Sequence, residues 1–193
     1  MRLWDPVTGH PHGPPLTGHT GGVAAVAAVA FPDGRTLLAS GGTDGTVRLW
    51  DPVTGHPHGP PLTGHTSWVT AVTAVALPDG RTLLASGSED GTVRLWDPVT
   101  GHPLGTPLTG HTRGVTAVTA VALPDGRTLL ASGSDDRTVR LWALSDTRSW
   151  SCKLSIDVGA RVEDLCALGL TVFAIALGTD GVATISVAEA ARH

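Results

Sequence analysis

The sequence predicts an all-β chain of tandem four-stranded antiparallel units, on three observations. The tripeptide Arg-Leu-Trp recurs at Arg2, Arg48, Arg94 and Arg140, always 46 residues apart, and a fixed period of this size marks a repeat architecture. Residues 47–92 and 93–138 agree at 40 of 46 positions, and residues 1–46 and 47–92 at 38, so each copy must be the same structural unit. Within a copy, four short runs are separated by turn signals, which is the pattern of an antiparallel meander.

One unit justifies each element in order. Gly64 to Trp68 form a polar turn, GHTSW. Residues Val69 to Leu77 (VTAVTAVAL) are small and apolar on both faces, as in a strand buried on both sides. In the first copy this run reads VAAVAAVA, with Val at helical spacing, so a helix competes there. Thr70, Thr73, Thr116 and Thr119 in the later copies and the closing proline favour strand. Pro78-Asp79-Gly80 is a turn in which proline presets φ and aspartate bonds the nearby backbone. RTLLASG (Arg81 to Gly87) is a second strand, SEDG (Ser88 to Gly91) a second turn, and TVRLWD (Thr92 to Asp97) an alternating third strand. PVTGHP turns again, and a short run around Leu104 to Leu108 is the fourth, outer strand.

Composition bounds the function. The 193 residues are 41% hydrophobic and 16% charged, with a net charge of −4, so a nucleic-acid partner is not expected, and no basic run exists to track phosphates. The longest nearly apolar run, residues 165–177, is too short for a membrane span. The only cysteines are Cys152 and Cys166, which suggests reduced thiols and a cytoplasmic chain. Asn, Gln and Tyr are absent and Lys153 is the only lysine, a bias expected of a GC-rich, bacterial gene.

Four features recur in phase: Gly-His (Gly18-His19, Gly64-His65, Gly110-His111), Leu-Leu-Ala-Ser-Gly (Leu37–Gly41, Leu83–Gly87, Leu129–Gly133), a turn aspartate (Asp44, Asp90, Asp136) and Val-Arg-Leu-Trp-Asp (Val47–Asp51, Val93–Asp97), whose third copy ends in Ala143. On these residues the unit resembles the WD repeat of β-propellers. The resemblance implies four-stranded blades, three complete and one degenerate, and a hydrogen-bonded tetrad inside each complete blade. The tetrads would be His19-Ser40-Asp44-Trp50, His65-Ser86-Asp90-Trp96 and His111-Ser132-Asp136-Trp142. The set should not be read as a protease triad: the serine is needed to satisfy a buried indole, and one active site does not come in triplicate.

The resemblance divides residues 1–193 as one propeller region. Residues 1–18 supply an outer strand and the remnant of a preceding repeat. Blades follow at 19–63, 64–109 and 110–156, the third closed by a strand near Trp150 to Ile156. A degenerate blade occupies 157–193, with Asp180 at the turn-aspartate place and Ser186 about where the tryptophan belongs, and it should be the least rigid. The missing outer strand of that last blade could come from the N-terminus. Four blades are few for the family, which leaves a strained ring, two chains closing an eight-bladed ring, or an arc of a longer protein. Met1 stands where the other copies have Val. GUG encodes Val internally but Met at a start, so the sequence is expected to be the C-terminal part of a longer repeat protein.

No catalytic residue and no cofactor are expected. His10/His12 and His56/His58 form H-x-H pairs, but no further ligand joins them, and no metal site is expected. The differences between copies are more informative. After Gly-His-Thr the pair is Gly21-Gly22, then Ser67-Trp68, then Arg113-Gly114. In the second turn Thr43 becomes Glu89 and Asp135, and Gly45 and Gly91 give way to Arg137. The family arrangement puts both loops on one rim, so Ser67, Trp68, Glu89, Arg113, Asp135 and Arg137 are the expected partner-binding residues. Trp and Arg dominate binding hot spots. The expected function is a non-catalytic protein-interaction scaffold with an unidentified protein partner, and self-association to close the propeller. A small-molecule or glycan binder is the alternative.

Overall fold

The computed structural model of the chain describes residues 1–144, 149–167, 172–178 and 181–186. These residues are all-β. Two short strands, β1 (Leu3–Trp4) and β2 (Pro11–His12), pair at the N-terminus. Three three-stranded meanders follow the same plan: β3 (Val23–Ala30), β4 (Thr36–Gly42) and β5 (Val47–Trp50); β6 (Val69–Ala76), β7 (Thr82–Ser88) and β8 (Val93–Trp96); and, last in the chain, β13 (Val162–Ala167), β14 (Val172–Leu177) and β15 (Gly181–Ser186). Between them lies a four-stranded sheet of β9 (Val115–Ala122), β10 (Thr128–Ser134), β11 (Thr138–Leu144) and β12 (Trp150–Asp157). The run that competed for helix, Val23–Ala30, is a strand. Asp180 lies outside the described residues.

The turns form by the chemistry their residues dictate. In each Pro-Asp-Gly turn the aspartate accepts the N–H of the arginine two residues on, at 3.0 Å for Arg35, Arg81 and Arg127 alike. Asp5, Asp51 and Asp97 likewise accept the N–H of the valine two residues on, at 2.8, 2.8 and 2.9 Å.

The outer strands of the first two sheets differ from expectation. Each is reduced to two isolated bridges, Val47 to Leu62 and Trp50 to Pro57 in one, Val93 to Leu108 and Trp96 to Pro103 in the other. Proline offers no ladder N–H, and these segments hold Pro57, Pro60 and Pro61, and Pro103 and Pro107. The corresponding stretch of the third sheet, WSCKLSID, has no proline and forms β12, which pairs with β11 along its length with one register shift between Leu141 and Trp142. The N-terminal segment also departs from the expected closure: β2 pairs with β1, and Leu16 donates to the Met1 carbonyl at 2.9 Å. Local hairpin geometry wins over a distant pairing with the last sheet.

The first strands of successive sheets lie side by side, β3 beside β6, β6 beside β9 and β9 beside β13. The core is therefore cut into layers between sheets. Val29, Leu37, Val47 and Leu49 of the first sheet meet Val69, Val72, Leu84 and Trp96 of the second. Val75, Leu83 and Val93 then meet Val115, Leu130 and Trp142, and Leu129, Val139 and Leu141 meet Val162, Leu165 and Ile175. The second and third sheets thus bury both faces by stacking on a neighbour on each side.

Candidate functional site

Inside each of the first three sheets, residues from the first loop, the middle strand, the second turn and the third strand converge. His19 reaches Ser40 Oγ with Nε2 at 2.8 Å and Asp44 with Nδ1 at 3.0 Å, and the Trp50 indole donates to Ser40 Oγ at 2.8 Å. In the second sheet the same three bonds are 2.8 Å (His65 to Ser86), 2.9 Å (His65 to Asp90) and 2.8 Å (Trp96 to Ser86). In the third they are 2.8 Å (His111 to Ser132), 3.0 Å (His111 to Asp136) and 2.9 Å (Trp142 to Ser132). The serines are fully buried, and the three indoles are at most 2% exposed.

The partners fix the protons. The indole can only donate, so the serine oxygen accepts it, and the serine O–H is left to donate to Nε2. In His65 and His111 Nε2 is then the acceptor nitrogen, and Nδ1–H donates to the carboxylate, which fixes the neutral tautomer. Burial lowers the His65 and His111 pKa more than their aspartates raise it. Burial opposes ionisation of Asp90, but the Thr92 hydroxyl, the Thr66 N–H and His65 outweigh it and hold the carboxyl at about 2. Asp44 and Asp136 are drawn below the usual carboxylate range in the same way. The serine hydroxyl is thus committed to two partners and buried from solvent.

Two threonines per sheet complete this network and are not singled out by the sequence reading. Thr46, Thr92 and Thr138 donate their hydroxyls to the turn aspartate at 2.7, 2.7 and 2.6 Å. Thr20, Thr66 and Thr112 donate their N–H groups to it at 2.9, 3.0 and 3.0 Å. Their signal is their phase, two residues after the aspartate and one after the histidine in every copy.

The variable loops stand over these networks. Glu89 N–H donates to the Trp68 carbonyl at 3.0 Å and Asp135 N–H to the Gly114 carbonyl at 3.0 Å, which joins the loop after Gly-His to the second turn of the same sheet. The next sheet follows directly: a side chain at Gly91 would stand 3.3 Å from the Arg113 carbonyl. Ser67, Trp68, Glu89, Arg113, Asp135 and Arg137 therefore share one rim. Trp68 is 56% exposed, Glu89, Arg113 and Arg137 are exposed, and Ser67 and Asp135 are half-buried. Asp135 is paired with Arg161 of the last sheet at 2.7 Å, which adds Arg161 to the rim.

Arg137 has φ of 70°, the left-handed conformation, where Gly45 and Gly91 occupy the equivalent turn. A side chain costs roughly 1–2 kcal/mol in that region. Arg137→Gly is expected to raise stability by about 0.5–1 kcal/mol once the looser unfolded chain is counted. A denaturant titration checks it, and a loss of stability would show that the arginine side chain repays its strain within the fold.

The other sequence features are dispersed. His10, His12 and His56 are exposed, and among the described residues no cluster of three metal-ligating side chains exists. Cys152 and Cys166 are free and exposed. Two grooves lie away from the rim: one of about 260 Å³ includes Leu83, Leu95, Leu108 and Trp150, and the other, of about 400 Å³, includes Phe31, Arg81, Val99 and Leu104.

Comparison with known proteins agrees with this geometry. The chain is similar in structure to the computationally designed Ika4 protein, with TM-score 0.70 and 25% identity over 89% of this chain and 95% of that one. It is also similar to U3-55K, with TM-score 0.72 and 26% identity over 90% of this chain and 51% of that one. No curated protein matches the sequence. The family described as WD domain, G-beta repeat matches residues 13–51, 59–97 and 101–143. These segments cover more than half of the sequence and contain all three His-Ser-Asp-Trp networks, and the chain belongs to the WD domain, G-beta repeat family.

Proposed function

We propose that this chain is a protein-interaction scaffold that binds through the rim around Trp68 and Arg113. The observation that carries the reading is the split between constant and variable positions. The three networks have the same residues and the same bonds, within 0.1 Å. The loops above them differ from copy to copy and present one exposed indole and the cations Arg113, Arg137 and Arg161. Rigid sheets that carry divergent loops make a surface that can be tuned without disturbing the fold. The chemistry fits a protein surface offering apolar and acidic groups, in keeping with the interaction role general to WD repeats. The strained turn at Arg137 supports the same reading, because strain of this kind gathers at functional positions. A cytoplasmic, bacterial setting belongs to this proposal on sequence grounds.

The test is to immobilise the chain, identify what it captures from a lysate, and measure the affinity of the purified pair. Trp68→Ala and Arg113→Ala are each expected to weaken binding by more than about 1 kcal/mol, a hot-spot threshold, with unchanged melting. A partner indifferent to both substitutions overturns the rim assignment. Capture of a sugar or metabolite that competes at the Phe31–Leu104 groove would replace it with the ligand-binding alternative.

A further inference from the structure

The rim holds two acidic side chains at equivalent places, and only one of them is paired. Thr43, Glu89, Asp135 and Gly178 each donate a backbone N–H to the first loop of their own sheet, to the carbonyls of Gly22, Trp68, Gly114 and Arg161, at 2.8 to 3.0 Å. These bonds make Trp68, Gly114 and Arg161 one position of the repeat, and Thr43, Glu89 and Asp135 another. The fully buried valines Val69, Val115 and Val162, which follow the first set directly, agree with the match.

At each joint the second of these positions, on one sheet, comes against the first position of the next sheet. Between the third and last sheets Asp135 meets Arg161, whose Nε stands 2.7 Å from Oδ1. The two side chains are 26% and 60% exposed, so the pair lies open to the surface. Between the second and third sheets Glu89 meets Gly114. A Cβ built at Gly114 would stand 2.9 Å from Glu89 Oε2 and 3.2 Å from its Cα, so Glu89 lies over a bare glycine where the next joint roots an arginine. Among the described residues the Glu89 carboxylate has no ion pair and no hydrogen bond. At the first joint the two positions hold Thr43 and Trp68, and no charge. A lone exposed carboxylate is common on any surface; this one sits in a frame that, one sheet on, holds a guanidinium.

We propose that Glu89 receives an arginine side chain from the partner protein, which completes over Gly114 the ion pair that Arg161 makes with Asp135. The proposal rests on the rim reading above and adds the chemistry of one partner residue. Arginine fits better than lysine, because its planar fork meets both oxygens of a carboxylate, whereas an ammonium is a point charge. Gly114 has no side chain to compete for Glu89 or to block the approach from solvent. Arg113, exposed and next to Gly114 in the chain, repels a bare cation, so the partner's arginine stands beside an acidic residue that answers Arg113. Alternation of sign of this kind fixes register and excludes wrong partners more than it adds affinity.

The test selects binders of the full chain from a displayed library of random short peptides and measures the selected peptides against variants. The peptides should carry an arginine whose replacement by alanine weakens binding at least about tenfold, as loss of an anchor does. Glu89→Gln should weaken them by a similar factor, and the two changes together should cost little more than either alone. Gly114→Arg should also weaken them at least about tenfold, because the introduced guanidinium engages Glu89 from within the chain. Glu89→Gln alters only an exposed side chain and should leave melting unchanged, so it decides the matter if Gly114→Arg fails to fold. Peptides that lose affinity with Trp68→Ala and Arg113→Ala but ignore Glu89→Gln would overturn the inference and leave the rim reading standing. Additive losses in the paired changes would overturn it too. Peptides indifferent to all of these substitutions, or a library that yields none, would overturn the inference, and in the first case the rim reading falls with it.

Discussion

Ser86→Ala is expected to cost the fold about 2–4 kcal/mol, because it leaves two buried groups unpaired at once. The serine oxygen accepts the Trp96 indole at 2.8 Å and its proton goes to His65 Nε2, also at 2.8 Å. Ser86 and Trp96 are 0% and 1% exposed, so no water replaces the lost hydroxyl. Trp96→Phe removes the donor but spares the histidine bond, and is expected to cost less, about 1–3 kcal/mol. Near-ultraviolet thermal melts of the three proteins check the order. Unchanged melting of both variants would mean that the bonds contribute nothing to stability.

Gly87→Ala is expected to destabilise the joint between the second and third sheets by about 1–3 kcal/mol, as overpacking does. The added methyl would stand 2.5 Å from Val115 Cγ1 and 3.2 Å from Val118 Cγ1. Val115 is fully buried and has no free direction in which to retreat. The cause can be isolated by a double-mutant cycle. Val115→Ala alone leaves a cavity, but in the Gly87→Ala background it makes room for the new methyl group. The pair should therefore lose about 1 kcal/mol or more less than the sum of the single losses. Additive losses would show that the glycine serves the backbone of β7 and not the seating of the valine.

The networks were legible through the resemblance to the WD repeat, which implies the His-Ser-Asp-Trp sets, and the need of a buried indole and imidazole for partners agrees with them. Thr92 and its equivalents were as regular, but a threonine at the start of a strand is already explained by strand preference, which hid its bond to Asp90. The outer strands were overread. Leu104 to Leu108 looks like an apolar run, but Pro107 within it and Pro103 just before it remove ladder donors, and two bridges with the Leu104 N–H to Leu95 carbonyl bond between them form in place of a regular strand. The difference between Val23, 37% exposed, and Val69, fully buried, was hidden for a different reason. Val23 and Val69 are the same residue in the same phrase, and only the sheet that stands beside each distinguishes them.

Three closed His-Ser-Asp-Trp networks lie inside the sheets, and the proposed contact rim around Trp68 lies exposed above them. Five of the six tryptophans report on this directly in an ¹⁵N-resolved exchange measurement of their indole N–H groups. Trp50, Trp96 and Trp142 are at most 2% exposed and each donates to a buried serine, whereas Trp4 and Trp68 are 60% and 56% exposed. The first three indoles are expected to exchange at least about a hundredfold more slowly than Trp4 and Trp68, because they open only with their sheets. Comparable exchange at all five indoles would contradict it.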